Sequence, residues 1–201
     1  RYGMDLYGEK RLPELLRRLC QIEDLRWIRI LYCYPEEITD ELIQVMAEEK
    51  KICHYLDLPI QHASDPILKR MGRRTSRSDL EEIIGKLRAA MPDIALRTTL
   101  ISGFPGETEE DQDCVLDFVE RIHFDRLGVF PYSQEEDTPA AAFPDQVPEE
   151  IKEARRNEIM ELQQRISRDN LQHKVGTVLD VFVEGYLPED DVYIGRTYMD
   201  A

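Results

Sequence analysis

Ala95-Leu96-Arg97-Thr98-Thr99-Leu100-Ile101-Ser102, followed at once by Gly103-Phe104-Pro105-Gly106-Glu107-Thr108, is the stretch that decides the fold. The first run is rich in β-branched and aliphatic residues and reads as a strand. Two glycines and a proline then force a tight turn. Thr108, with Asp111 three residues on, caps the next helix. In a parallel α/β protein such a strand–turn–helix junction marks the carboxyl end of a strand, where ligands bind. The glycines are expected to let a ligand approach the backbone closely, because no side chain stands in the way.

The same alternation extends in both directions. Leu12, Leu15, Leu16 and Leu19 fall at helical spacing, and Trp27–Tyr32 reads as a strand. Thr39 caps a helix carrying Leu42, Ile43 and Met46. Tyr55–Leu58 is a short strand ending at Pro59, and Ser78 with Glu81 predicts a capping box. Val115, Phe118, Val119 and Ile122 give the helix after Thr108 its buried stripe, and Leu127–Tyr132 is the next strand. Pro148 suits the first position of a long helix reaching about Gln172, with Ile159, Leu162 and Ile166 inward. After Gly176 the hydrophobic period changes to two, Gly185 is expected to start a loop, and Val192–Gly195 looks like a second strand. The boundary between an α/β part, 1–174, and the start of an all-β part, 175–201, is therefore placed near Val175. Four β/α units fit either an open doubly wound sheet or part of a barrel, and pattern alone does not choose.

Composition narrows the function. The 201 residues carry a net charge of −15, which disfavours a surface built to bind nucleic acid and suits a basic partner. No apolar run approaches the ~20 residues of a membrane span. The N-terminus is polar, shows no secretory leader and lacks an initiator methionine, so the chain is expected to be a piece of something longer. Cys20, Cys33, Cys53 and Cys114 have none of the close spacings of a zinc or iron–sulfur site and are expected to be reduced thiols of a cytoplasmic protein.

Four segments fall at predicted carboxyl ends of strands: Tyr32–Pro35, Pro59–Ser64, Gly103–Glu107 and Tyr132–Glu136. Gln61, His62 and Ser64 offer donors and acceptors there, or else a polar turn. Arg97 and Thr99 share one strand face, where an arginine needs a carboxylate or phosphate partner, either a ligand or an internal one such as Asp57. Ile101 and Phe104 suit a flat apolar group. Glu107 reads as charge at a helix N-terminus. Glu135, Glu136 and Asp137 are placed to receive a basic segment.

The runs LPIQHASDPILKRMGRR, LRTTLISGFPGETEED and FDRLGVFPYSQEEDTPAAAF, in this order and together with LQQRISRDNL and GRTYMDA, resemble the radical S-adenosylmethionine methylthiotransferases across essentially the whole chain. That resemblance implies an α/β fold, the later portion of a partial (β/α) TIM-like barrel, followed by the beginning of a TRAM-like β domain. It implies that Gln61, Ser64, Arg97, Thr99, Gly103 and Phe104 line an S-adenosylmethionine pocket, with Gly103 and Phe104 against the adenine. His62, Glu135 and Glu136 would face the substrate.

His62, Arg97, Thr99 and Glu135, with an acidic β stub, make the chain look most like the branch acting on an aspartate of a small-subunit ribosomal protein. The alternatives are the branch that modifies a tRNA adenosine and a non-catalytic acidic binding module. Asp137 departs from the glycine usual before Thr138. The family's [4Fe–4S] clusters would belong to the full-length protein, because the CxxxCxxC ligands are absent from this chain. The chain alone is accordingly expected to be inactive and to bind no cluster, with no catalytic residue of its own.

Overall fold

The computed structural model describes residues 1–200. A short helix α1 (Met4–Tyr7) and α2 (Leu12–Cys20) precede β1 (Ile28–Ile30). Then follow α3 (Asp40–Glu48), β2 (Ile52–Asp57), α4 (Asp65–Arg70), α5 (Arg77–Ala90), β3 (Ala95–Ser102), α6 (Glu109–Ile122), β4 (Arg126–Pro131) and α7 (Glu149–Gln172). Two further strands, β5 (Phe182–Leu187) and β6 (Val192–Arg196), form an antiparallel hairpin.

The main sheet runs β1-β2-β3-β4, every pair parallel and every spatial neighbour a sequence neighbour. Crossovers between parallel strands are right-handed, so an order that never reverses puts all the connecting helices on one face. A doubly wound sheet would reverse direction at a switch point. This sheet does not, and it is a section of a barrel wall. Leu56, Leu58, Leu96, Leu100, Leu127 and Val129 pack outward into one core with Leu42, Met46, Ile84, Leu87, Phe118, Ile159 and Ile166 of the helices. Alternate residues face the other way, and there Arg97, Thr99, Ile101, Gly128 and Phe130 line an open concave side.

Several local expectations are corrected. The sequence holds two overlapping cap signals, and α5 uses the earlier one: Ser76 accepts from Asp79 N–H and Asp79 returns the bond. The predicted partner of Ser78, Glu81, is instead held by Arg77 Nε at 3.1 Å. Ser76→Ala should therefore cost about 1 kcal/mol while Ser78→Ala stays within about 0.5 kcal/mol, read from urea midpoints. Equal effects would restore Ser78 as the cap. Pro148 is the extended residue before α7, with ψ 144°, not its first helical residue. β1 is shorter than Trp27–Tyr32 because its register slips between Ile28 and Ile30 at the sheet edge. Gly185 lies inside β5, where a bulge absorbs it, and the turn comes after Leu187.

Candidate functional site

The carboxyl end of β3 is organised around one carboxylate. Glu107 is fully buried. Its Oε2 accepts from Gly103 N–H at 2.8 Å and Phe104 N–H at 3.1 Å, so the acid folds the turn back on itself. Its Oε1 accepts from Arg155 Nη1 of α7 at 2.9 Å, and the same nitrogen holds the Glu107 carbonyl at 3.1 Å. His62 Nε2 stands 3.4 Å from Oε2. On the other side of the ring, Nδ1 accepts from Ser64 N–H at 2.9 Å, which leaves the ring proton on Nε2, toward Glu107. Glu107 thus acts as a knot tying three segments together, a larger role than charge at the start of α6.

The glycines also differ from expectation. Gly103 has φ +69°, and a Cβ there would overlap Lys152 Cγ and lie 2.9 Å from its Cβ. Gly106 has φ +83°, and its Cβ would meet the Arg70 guanidinium at 2.8 Å. Their bare faces are turned to α7 and to Arg70. Close packing of the turn against the protein, together with the left-handed backbone, is what requires glycine here.

The predicted site residues separate into two groups. His62 and Ser64 are 1% and 3% exposed. Ser64 Oγ donates to Asp111, whose carboxyl is held below the usual range by hydrogen bonds from Ser64 and Thr108 that outweigh its burial. Phe104 is also buried, edge-on to Tyr132 at 5.2 Å and to Phe143 at 6.2 Å. These three support the turn from behind and offer no open surface, so Ile101 is the apolar residue of this pair that reaches the groove.

Arg97 and Thr99 lie on the same face of β3 as Ile101, and Gln61 is bonded beside that strand. Gln61 adopts φ 71°, accepts from Ile101 N–H at 2.8 Å and donates its own N–H to Thr99 at 3.0 Å. Its backbone therefore adds a rung beside β3, beyond Pro59. Arg97 lies near the opposite end, about 16 Å along the strand from Ser102 at ~3.3 Å per residue. It pairs with Asp57 at 3.4 Å, the internal partner weighed above. Burial pushes the Asp57 carboxyl up, against the pull of Arg97.

Past β4, Glu135 and Glu136 are exposed, and Glu135 accepts from Ser133 Oγ at 2.7 Å. Asp137 has φ 64°, the left-handed conformation a glycine would take, so the loop keeps that geometry without one. Cys20, Cys33 and Cys53 are buried free thiols, and burial pushes Cys33 up to about 11. Among the described residues no group of three or more His, Cys, Asp or Glu could hold a metal, and no helix is long and apolar enough to cross a membrane.

Lys152 and Arg155 were not singled out from sequence. The signal was present: positions 152, 155, 159, 162 and 166 continue one helical face, so two bases stand on the stripe that packs inward.

The Radical SAM superfamily matches residues 5–119. Ribosomal protein uS12 methylthiotransferase RimO of Lachnoclostridium phytofermentans is 62% identical over 200 residues, covering 100% of this chain and 46% of its own length. Proteins of the same name from Alkaliphilus oremlandii and Clostridioides difficile are 54% and 51% identical over 201 residues, each covered for 46% and 45% of its length. The chain thus spans under half of these curated relatives. Among solved structures, coproporphyrinogen III oxidase (HemN) of Escherichia coli, a radical SAM enzyme, superposes with a TM-score of 0.60 at 21% identity, over 78% of this chain and 36% of that one. That likeness speaks for the fold, the single-direction parallel sheet with helices on one side. With the family matched over more than half its length, this chain belongs to the Radical SAM superfamily.

Proposed function

We propose that this chain is the ligand-positioning part of an enzyme that adds a methylthio group to the β-carbon of an aspartate in ribosomal protein uS12. The observation that carries this reading is the 62% identity to a RimO protein across the whole chain.

S-adenosylmethionine fits the concave side. Gln61 supplies an amide with no protein hydrogen bond among the described residues, Thr99 a hydroxyl, and Ile101 and the exposed Phe130 an apolar pair for a base. When bound, that cofactor supplies the methyl group and the oxidising power of the reaction. The chain's own part is to hold the cofactor against a rigid turn, which Glu107, His62 and Ser64 keep in one shape from behind. Arg97 acts at the base of the groove through Asp57. The residues present do not fit an iron–sulfur cluster, since neither the CxxxCxxC spacing nor a clustered thiol set is found among them. Glu135 and Glu136, exposed at the carboxyl end of β4, would face a lysine- and arginine-rich ribosomal protein in the cytoplasm. Residues 175–201, with six acids and one base, would open an acidic TRAM-like module unsuited to nucleic acid.

Deleting the gene that encodes this chain should remove one methylthio group from ribosomal protein uS12, as read by intact-protein mass spectrometry. A full-length copy should restore it. An unchanged ribosomal protein in the deletion strain would end this reading, and loss of a methylthio group from tRNA adenosine instead would move the activity to the other branch.

A further inference from the structure

The open side of the sheet is covered at its lower end by the chain itself. After β6 the backbone returns across the N-terminal ends of the strands. Arg29 Nη2, projecting from β1, donates to the carbonyls of Thr197 at 3.0 Å and Tyr198 at 3.1 Å. Tyr198 OH donates to the Asp93 carbonyl at 3.0 Å. Tyr198 and Met199 pack with Trp27 against buried Cys53, Tyr55 and Ala95. Asp200 accepts from Arg126 Nη2 at 3.0 Å, and its second oxygen accepts from Thr197 Oγ1 at 2.8 Å, which closes the segment into a turn.

Charge explains why the contact falls there. Arg97 and Arg126 are register partners on β3 and β4, two like charges directly opposite on one face. Such a pair is unfavourable unless each finds a carboxylate. Asp57, the register partner of Arg97 on β2, serves one side. The strands supply no such acid for Arg126 among the described residues, and Asp200 stands in that place. The result is a charge-balanced row, Asp57–Arg97–Arg126–Asp200, with the two arginines flanked by the two acids; three members belong to the sheet and one to the returning segment. Three of its members, Arg97, Arg126 and Asp200, line a cavity of about 290 Å³ together with Tyr55, Gly128 and Met199.

We propose that residues 197–200 form a strap that closes the base of the groove and clamps the β5–β6 hairpin to the barrel wall. A ligand entering from the carboxyl ends of the strands then meets a protein floor with balanced charge. The hairpin is held at the end opposite the Gly103–Glu107 turn, although both its faces are otherwise exposed. The strap is independent of which substrate the groove takes, so its failure and the failure of the uS12 reading are separate results.

Trp27 is the single tryptophan and sits in the contact, 6.3 Å from Phe182, so its fluorescence reports the strap directly. In the full chain, Asp200→Asn and Arg29→Ala should raise acrylamide quenching of Trp27 by about 2-fold and speed proteolysis within residues 175–196 by roughly 10-fold, as expected for a locally released unit. Tyr198→Phe, which removes one hydroxyl, should shift both readings in the same direction by less. Far-UV circular dichroism of the helices should stay unchanged. Should Arg29→Ala fail to fold, Asp200→Asn and Tyr198→Phe decide, since both replacements are nearly isosteric. Quenching and cleavage rates equal to the parent chain in those two variants would overturn the strap.

Discussion

Glu107→Ala should lower the folding stability by about 3–5 kcal/mol, the cost of breaking a buried ion pair by removing one partner. Three things are lost together. Arg155, with a side chain only 11% exposed, keeps its charge without a carboxylate. The N–H groups of Gly103 and Phe104 lose their acceptor inside the protein. The His62 ring proton loses the group it faces. For a chain of this length the melting midpoint should fall on the order of 10 °C.

Two companions separate the causes. Glu107→Gln keeps the volume and one acceptor oxygen, and should fall between the parent and the alanine variant. Arg155→Ala leaves a fully buried carboxylate with only its two backbone donors, and should cost about 3 kcal/mol, the lower end of the range for breaking a buried pair. Thermal and urea denaturation read all three. A Glu107→Ala loss under about 1 kcal/mol would mean that the turn is held by its backbone alone and that the knot has no energetic weight.

Gly103→Ala should be the second large effect, at about 2–5 kcal/mol. A left-handed non-glycine residue costs about 1–2 kcal/mol, and forcing a methyl into filled space costs about 1–3 kcal/mol more. The obstruction includes Lys152 Cα at 3.2 Å, main chain of α7 that does not step aside. Lys152 is itself fixed, since Nζ donates to the Tyr132 carbonyl at 2.9 Å and its own carbonyl accepts from Ser102 Oγ at 3.0 Å. Gly106→Ala is the internal control. Its backbone is as left-handed, but the added methyl would meet only the far end of the flexible Arg70 side chain. It should cost about 1–2 kcal/mol, the backbone part alone. Equal losses at the two glycines, measured from urea midpoints, would show that packing against α7 plays no part.

The difference between these two glycines illustrates which parts of the molecule were legible in the residues. β3 was read to its exact ends, because alternation over Ala95–Ser102 stops at a glycine and the next cap is spelled out by Thr108 and Asp111. Helices α3 and α6 were legible for the same reason, since period and cap are local properties, and α2 and α7 by period alone. The cap of α5 was misread because two serine–acid pairs overlap in Ser76–Glu81, and the partner that takes Glu81 is fixed only once Arg77 has a conformation. Gly185 was misread because a glycine that makes a turn and a glycine that makes a bulge look alike without the partner strand.

The candidate site was legible as a place and less so as a set of contacts. The carboxyl ends of β2, β3 and β4 lie side by side in one parallel sheet, and Thr99 and Ile101 share one face of β3 beside Gln61. His62, Ser64 and Phe104 carry the right chemistry at the right loops but turn inward, and nothing in their spacing shows which way a loop side chain points. Sequence by itself determined the alternation of the sheet strands with the longer helices and the superfamily, because these rest on periodicity, caps and ordered motifs carried along the chain. Tertiary structure alone decided that the sheet winds in one direction, that Glu107 gathers His62 and Arg155 around the turn, and that Asp200 answers Arg126 across 74 residues of sequence. Buried charges must be matched in space, and the partner that satisfies each one is chosen by packing rather than by its distance along the chain.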